Sequence, residues 1–464
     1  MARLRPRPGR PLRPRIRLGR RPRRKPGRPL LGLWARRKTM KSPAFLIAVL
    51  GLAVGPAAAG QVDLPEIVSL SRTASTAAKL RTLELDFLGS REGRLFVAAR
   101  PRDLARLEAE GIPFRFETPH LRSSAAGPGS PGGPIGAYHT GLHLERDLFD
   151  LSSKHPGLAK LVILGESLER RPIYGLKISD NVALEEDEAE VLILGCHHAR
   201  EWISVEVPFL FAKFLLESYG TDPEVTRLVD QSEVWIVPLV NPDGHDYSVR
   251  VYRYWRKNRR DNGSGVYGVD LNRNYGYKWG VDNLGSSGEP SSEVFRGTAA
   301  FSEPETRAVR DLFLKRDFRA VVSYHSFSQV ILYPWGHTTA PAPEEPLLRE
   351  LALRMSELMR PVNGRTYAAG QGIAMLNYLT NGDTVDWTYA TAGVPSYTVE
   401  LPPIDQLGGG FFNAEKDIEG IFLENAPALL HLLQWAVDDF AARPPSLPFG
   451  LPDLLRPRLV IPRR

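Results

Sequence analysis

Two histidines, an arginine and a glutamate crowd the end of an apolar run in VLILGCHHAREWIS, Val191 to Ser204. His198 and Glu201 stand three residues apart, a spacing that in a turn or a first helical turn puts both side chains on one side. A neutral imidazole nitrogen and a carboxylate oxygen are good ligands for Zn2+, but a catalytic zinc needs three protein ligands and an open position for water. Alone, H-x-x-E reads as a surface pair. His325, near the end of the run AVVSYHS, could supply a third ligand. One histidine at a strand end is an ordinary polar residue entering a loop; two strand ends bearing His, Glu and His are harder to dismiss.

These residues need elements to hold them. From Ala137 the chain alternates strand and helix patterns. KLVILGES, IYGLKISD, EVLILG, EVWIVPLVN, AVVSYHS and SYTVEL read as strands, several of them nearly all apolar and so buried on both faces. FLFAKFLLESYG, PETRAVRDLFLKR, PLLRELALRMSELM and KDIEGIFLENAPALLHLLQWAVDDF read as helices, with Ser302 as the expected cap of the second. This is the pattern of one α/β domain with a mixed sheet. Ligands of open α/β sheets sit beyond the carboxyl ends of strands, which is where the His/Glu cluster falls.

The front of the chain is built differently. Residues 1–39 hold 14 Arg and 2 Lys and no acidic residue, and this arm makes the whole chain's net charge +7. The remainder carries 44 basic against 53 acidic residues, a balance of −9, so the basic character belongs to the arm and no nucleic-acid partner follows for the body. Met40 then opens MKSPAFLIAVLGLAVGPAAAGQ: a Lys, an apolar run from Ala44 to Gly55, and small residues. That is the layout of a secretory signal peptide, which makes Met40 the expected start and residues 1–39 an extension that is not translated. The run is short for a spanning helix, so no stable membrane anchor is expected and the mature protein should be exported, extracellular or periplasmic. With Cys196 its only cysteine, it is exported without internal disulfides.

Residues 61–121 read as a small unit, strand, turn, strand, short helix, strand in LELDFLGSREGRLFVAARPRDLARLEAEGIPFRFE. A Pro/Gly/Ser linker, RSSAAGPGSPGGPIG at 122–136, joins it to the domain at 137–440. A small unit on an easily cut linker suits a pro-region; an ordinary accessory domain is the plainer reading. Residues 441–464 are Pro-rich and read as a loosely held tail.

Eight motifs in order resemble the zinc metallocarboxypeptidases: HAREW at His198–Trp202, NPDG at Asn241–Gly244, YWRKNR at Tyr254–Arg259, GVDLNRN at Gly268–Asn274, SYHSFSQ at Ser323–Gln329, LYPWG at Leu332–Gly336, DWTY at Asp386–Tyr389 and YTVEL at Tyr397–Leu401. The resemblance is to the carboxypeptidase A/B-like branch, nearest to secreted bacterial carboxypeptidase T-like enzymes, which share the doubled histidine. It implies an α/β/α sandwich around a mixed, mostly eight-stranded sheet, and one zinc per chain held by His198, Glu201 and His325. It further implies that Asp270 fixes the tautomer of His198, that Arg256 polarises the scissile carbonyl, and that Asn272 and Arg273 clamp the substrate's terminal carboxylate. By the same resemblance Tyr378 caps the bound end, Glu400 is the general base and Arg200 serves outer substrate subsites, while His197 is expected to be structural. Calcium held by loop carboxylates stays open, and the expected form is a monomer acting on peptides or proteins with a free C-terminus.

The chemistry of amide hydrolysis asks for the same parts. Zinc lowers the pKa of its water towards about 7, and a carboxylate must then move that proton to the leaving amine. Glu400 ends the buried strand SYTVEL, where an unpaired carboxylate is costly unless it has such a task. A guanidinium gripping a carboxylate through two bonds is the natural demand for a free C-terminus, so Arg273 separates an exopeptidase from an endopeptidase. Arg256 without its context would be a solvated member of RYWRKNRR. Two other readings use the same residues: an inactive zinc-binding adhesion module, and a zinc amidase acting on cell-wall peptides or non-peptide amides.

Specificity rests on the loop before DW, where the resemblance places the pocket floor. Val385 offers no charge and favours large apolar C-terminal side chains. Asp383, on a loop that Gly382 should loosen, could pair with Lys or Arg. The expectation is apolar first, basic second and acidic refused.

Overall fold

The computed structural model describes residues 66–116 except 72, 74, 77, 78, 80–82, 84 and 92, then 136–404, 410, 411 and 413–443. The Arg/Pro arm, the expected signal peptide, nearly all of the expected linker and most of the tail lie outside the described residues.

The amino-terminal part forms a four-stranded antiparallel sheet of β1 (Glu66–Ser71), β2 (Asp86–Arg91), β3 (Arg94–Ala99) and β4 (Phe114–Phe116), ordered β2-β3-β1-β4, with helix α1 (Pro101–Ala109) between β3 and β4. The strand, turn, strand, helix, strand reading holds for β2 to β4; β1 is an addition. Val68, Leu70, Leu95, Val97 and Leu107 form its core.

The larger sheet contains β5 (Ala159–Glu166), β6 (Pro172–Ile178), β7 (Ala189–Gly195), β8 (Ser232–Val237), β9 (Phe318–Ser326), β10 (Val330–Tyr333), β11 (Ala368–Gln371) and β12 (Ser396–Leu401), in the order β11-β10-β12-β9-β7-β8-β6-β5. The central four, β12, β9, β7 and β8, run parallel, and the sheet is mixed because β6 and β10 pair antiparallel with them. Every residue of β7 and β8 is buried. Their apolar runs therefore follow from helices on both faces rather than from alternation. On one side lie α2 (Gly141–Lys154), α3 (Ile203–Ser218), α4 (Pro223–Val229), α7 (Glu345–Asn363) and α10 (Ile418–Ala442), which enclose the main core around Val191, Ile193, Ala320 and Val322. The other side, around Leu192, Leu194, Val237 and Val321, is covered by α6 (Pro304–Leu314) and by Trp387 of α9 (Thr384–Ala392). Two short helices, α5 (Pro242–Arg250) and α8 (Gly372–Leu376), complete the set used below.

The expected fold class is the observed one, with one local correction. Ser302 does not cap α6; Glu303 holds that position, and the Ser302 hydroxyl donates to Glu303 Oε1 while accepting from Asn274 Nδ2. Proline at the first position removes one of the first turn's free N–H donors, so one acceptor fewer is called for there.

The small sheet packs on the large domain within one unit, residues 60–464. Ile67, Phe96 and Ala98 meet Tyr254, Phe327 and Phe411. Two ion pairs frame this apolar contact: Asp86 with Arg200, and Arg100 with Glu293 at 2.6 Å.

Candidate active site

The site is assembled where β7, β9 and β12 end together. Register places Glu400 beside His325 and Thr398 beside Ser323 on neighbouring parallel strands. Beyond β7 the chain must leave the sheet at once. Gly195 permits it, since a Cβ there would lie 2.2 Å from Ser204 O and 2.7 Å from Pro238 O. Cys196 follows in the left-handed region at φ 54°, fully buried, with its Sγ 3.5 Å from His198 O. The bend delivers His197, His198 and Glu201 before α3 begins, so His198 and Glu201 share a turn rather than a helical turn.

Three ligand atoms converge. His198 Nδ1 lies 2.8 Å from Glu201 Oε1, His325 Nδ1 lies 3.0 Å from Glu201 Oε2, and the two Nδ1 atoms are 3.1 Å apart. All three residues are buried. His198 directs its other nitrogen, Nε2, at Asp270 Oδ1 at 3.1 Å, and His325 directs Nε2 at Ser323 Oγ at 3.1 Å. With the ring protons placed there, both Nδ1 lone pairs face a carboxylate and each other. Such a knot of acceptors is satisfied by a cation between them, and the two-His, one-Glu set is a catalytic zinc set. The residues fit the metal. Burial alone would raise the Glu201 carboxyl; positive charge beside it, on His198 and His325 when they are protonated, outweighs that and holds the group well below the usual carboxylate range.

Asp270 ties His198 to Arg256. Burial again pushes up, yet Arg256 and His198 leave Asp270 firmly ionised. Arg256 donates to Asp270 Oδ2 from Nε at 3.1 Å and Nη2 at 2.8 Å, and Asn272 N donates to Oδ1 at 2.9 Å. Arg273 is held by Gly285 O and Asn272 O. Glu400 is half-buried; burial and the charge of Glu201 push its carboxyl up, against Arg256 and Arg273. His197 sits behind the site, fully buried, and burial keeps it uncharged.

Other expected residues fall into different settings. Arg200 is 2% exposed and taken: Asp86 of the small sheet grips it through both oxygens, and its guanidinium stacks 4.2 Å over Phe411. Tyr378 is exposed on the loop between α8 and α9. Val385 is buried on α9. Asp383 is the cap of α9: its Oδ1 accepts from Asp386 N at 2.8 Å and its Oδ2 from Thr380 Oγ1 at 2.5 Å. Burial and the charge of Asp386 push its carboxyl up to about 7. Gly382 does not loosen this loop. At φ 70° a Cβ would sit 2.4 Å from Arg273 O, so the glycine lets the Asp383 loop lie close against Arg273.

Sequence reasoning missed Asp86, Ser323, Tyr275 and Thr384. Hydroxyls carry no chemical signature of their own, and Asp86 lies in a segment read only for its strands. The cap role of Asp383 was available in its D-x-x-D spacing ahead of a helix. A second carboxylate cluster, Asp180, Glu186 and Glu188, precedes β7, at the end of that strand opposite the site, and is only partly buried.

Comparison with known proteins agrees with this geometry. A family model described as zinc carboxypeptidase matches residues 144–428. A zinc carboxypeptidase of Saccharothrix mutabilis subsp. capreolus is 32% identical over 394 residues, covering 78% of this chain and 87% of that protein. Carboxypeptidase A1 of Rattus norvegicus is 34% identical over 266 residues, 57% of this chain and 62% of the relative. Among solved structures, carboxypeptidase A from Helicoverpa armigera superposes with a TM-score of 0.68 at 26% identity, over 82% of this chain and 99% of that one. Thrombin activatable fibrinolysis inhibitor gives 0.69 at 26% identity, over 81% and 100%. With its mixed eight-stranded sheet and a His-Glu-His cluster at the strand ends, the chain belongs to the zinc carboxypeptidase family and is a metallocarboxypeptidase.

Proposed function

We propose that this chain is an exported carboxypeptidase, made with a pro-region that covers its cleft, which removes apolar and then basic residues from the C-termini of peptides. The convergence of His198 Nδ1, His325 Nδ1 and Glu201 carries the catalytic part of this reading. Zinc held there supplies the Lewis acidity that makes a water nucleophilic near neutral pH. Glu400, beside His325 across the sheet, takes the water's proton and hands it to the departing amine. Arg256, held still by Asp270, presents its guanidinium to the charge that develops on the carbonyl oxygen. Arg273 and Asn272 receive the substrate's terminal carboxylate, and Tyr378 closes over it. Val385 favours apolar side chains. Asp383, already a helix cap, offers Lys or Arg a secondary attraction only.

The pro-region part rests on Asp86. It occupies Arg200, the residue expected to serve outer subsites, while Phe96 and Ala98 seal the neighbouring surface. A bidentate carboxylate on a buried guanidinium is the contact a substrate would have to displace. Export rests on the layout from Met40.

The test uses N-blocked dipeptides with the protein before and after proteolysis in 122–136. The cut protein should release Phe or Leu fastest, Lys or Arg more slowly and Glu not at all. The C-terminal amide of the Phe substrate should be untouched, and the uncut protein should be slower throughout. Efficient amide cleavage would turn the reading towards an amidase. Equal rates before and after cutting would remove the inhibitory role.

A further inference from the structure

We propose that His197 is a positioning residue: it couples the metal ligand His325 to the carboxylate clamp Asn272 through one directed chain of hydrogen bonds. The inference rests on the carboxypeptidase reading above. His197 lies parallel to His325, with ring centroids 5.6 Å apart and planes 14° from parallel. Its Nδ1 is 3.3 Å from Ser323 Oγ, and Ser323 Oγ is 3.1 Å from His325 Nε2. Its Nε2 is 2.8 Å from the Tyr275 hydroxyl and 3.2 Å from Thr384 Oγ1. Thr384 Oγ1 in turn donates to Asn272 Oδ1 at 2.8 Å.

The direction of every proton can be worked out from one end. The backbone N–H of Thr384 points at the Asn272 side chain at 3.0 Å, so the atom it meets is the amide oxygen. That oxygen has no proton to give, so the Thr384 hydroxyl donates to it. Thr384 Oγ1 is then an acceptor, and the His197 proton sits on Nε2, shared with the Tyr275 hydroxyl. His197 meets only hydroxyls, with Nε2–H turned to Thr384 and Tyr275, and in that tautomer its Nδ1 is the acceptor facing Ser323. Ser323 donates to that Nδ1 and accepts from His325 Nε2–H. The result is a His325 whose Nδ1 lone pair is fixed towards Glu201 and His198. At the far end Asn272 spends its oxygen on two donors, which leaves its amide N–H groups as the face that meets a carboxylate.

An apolar side chain would fill the space behind β7 with no polar atom to satisfy. A histidine is accepted there only because both nitrogens are used. One consequence is specific: the occupancy of the clamp and the hold on the metal share a mechanical link through Ser323, His197 and Thr384.

The test is Thr384→Val, which keeps shape and leaves the backbone donor in place. Two readouts are taken: the rate at which zinc-loaded full-length protein gives up Zn2+ to a chelator, and kcat and KM of the linker-cut protein on a blocked dipeptide ending in Phe. Zinc release should quicken about tenfold or more, inside the 10–100-fold range for lost support of a ligand. KM should rise several-fold while kcat changes less, and Thr384→Ser should restore both. A raised KM with unaltered zinc release, or no change in either, overturns the coupling. Should Thr384→Val not fold, Ser323→Ala decides: it touches no clamp residue, yet KM should rise, and an unchanged KM refutes the chain. If wild type binds zinc tightly but cleaves no peptide, the carboxypeptidase reading fails while zinc release still tests the relay.

Discussion

Lys177, Glu190, Glu233 and Arg316 meet at the amino ends of β7, β8 and β9, while His198, Glu201, Asp270, Arg256, His325 and Glu400 meet where β7, β9 and β12 finish. At the amino end the ions largely answer one another. Lys177 Nζ is 2.5 Å from Glu233 Oε1 and donates to Leu184 O. Arg316 reaches Glu233 at 2.9 Å and Glu185, and stacks over Trp235. Among these residues two cations face three carboxylates, and Glu190, 3.5 Å from Arg316, is the one least served. Burial and Glu233 push it up to about 8, so a proton neutralises the surplus. At the carboxyl end the surplus is of another kind. Two imidazole lone pairs and a strongly ionised Glu201 point inward together, and no proton satisfies all three. One cluster is closed by titration, the other asks for a metal.

Removing a member from each end separates the two. His325→Ala should have the largest effect. Two ligands remain, zinc affinity should fall beyond the roughly 10–100-fold of a lost supporting partner, and activity should drop to background. Full zinc content with full activity would end the ligand assignment. Glu400→Gln should keep zinc and substrate binding while kcat falls about 10²–10⁴-fold; an unaltered kcat excludes the general-base role.

Lys177→Met strikes the closed cluster. Leaving Glu233 with Arg316 as its remaining cation should cost up to about 3–5 kcal/mol in denaturant unfolding, and kcat of the folded fraction should stay unchanged. A stable variant, or one with impaired kcat, breaks the contrast drawn between the two ends. Glu190→Gln should give the smallest effect, visible as a pH profile. The folded pKa of Glu190 is about 8, above the roughly 4.3 of an unfolded chain. Between those values the native state binds more protons than the unfolded state. The Glu190 contribution is therefore fully present below about pH 4.3 and is lost as pH rises to about 8. Gln should flatten that decline; an unchanged profile places the surplus charge elsewhere.

The same contrast marks what the sequence disclosed. β7, β8 and β9 are legible because a strand buried on both faces must be apolar throughout, and the His/Glu cluster is legible because it interrupts such a run. β11, AAGQ, is four residues long with no branched side chain, and β10, VILY, was visible only as part of a motif. Neither had enough length to declare a period. Asp383 was read as a loose pocket carboxylate because its chemistry is local but its job depends on where α9 begins. Ser323 and Thr384 gain their meaning from neighbours 126 and 112 residues away, His197 and Asn272, a pairing that only the folded sheet creates.

Cys196 gives the experimenter an instrument. It is the chain's only thiol, fully buried where β7 hands over to the bend carrying His197 and His198. A reagent that modifies thiols can reach it only when that bend lifts from the sheet, so the modification rate is a clock for opening at a single address. No tag, dye or engineered residue is required, and every other residue is silent to the reagent. The clock runs within one bend of His198 and Glu201, so it times breathing of the site itself, separately from melting of the whole domain.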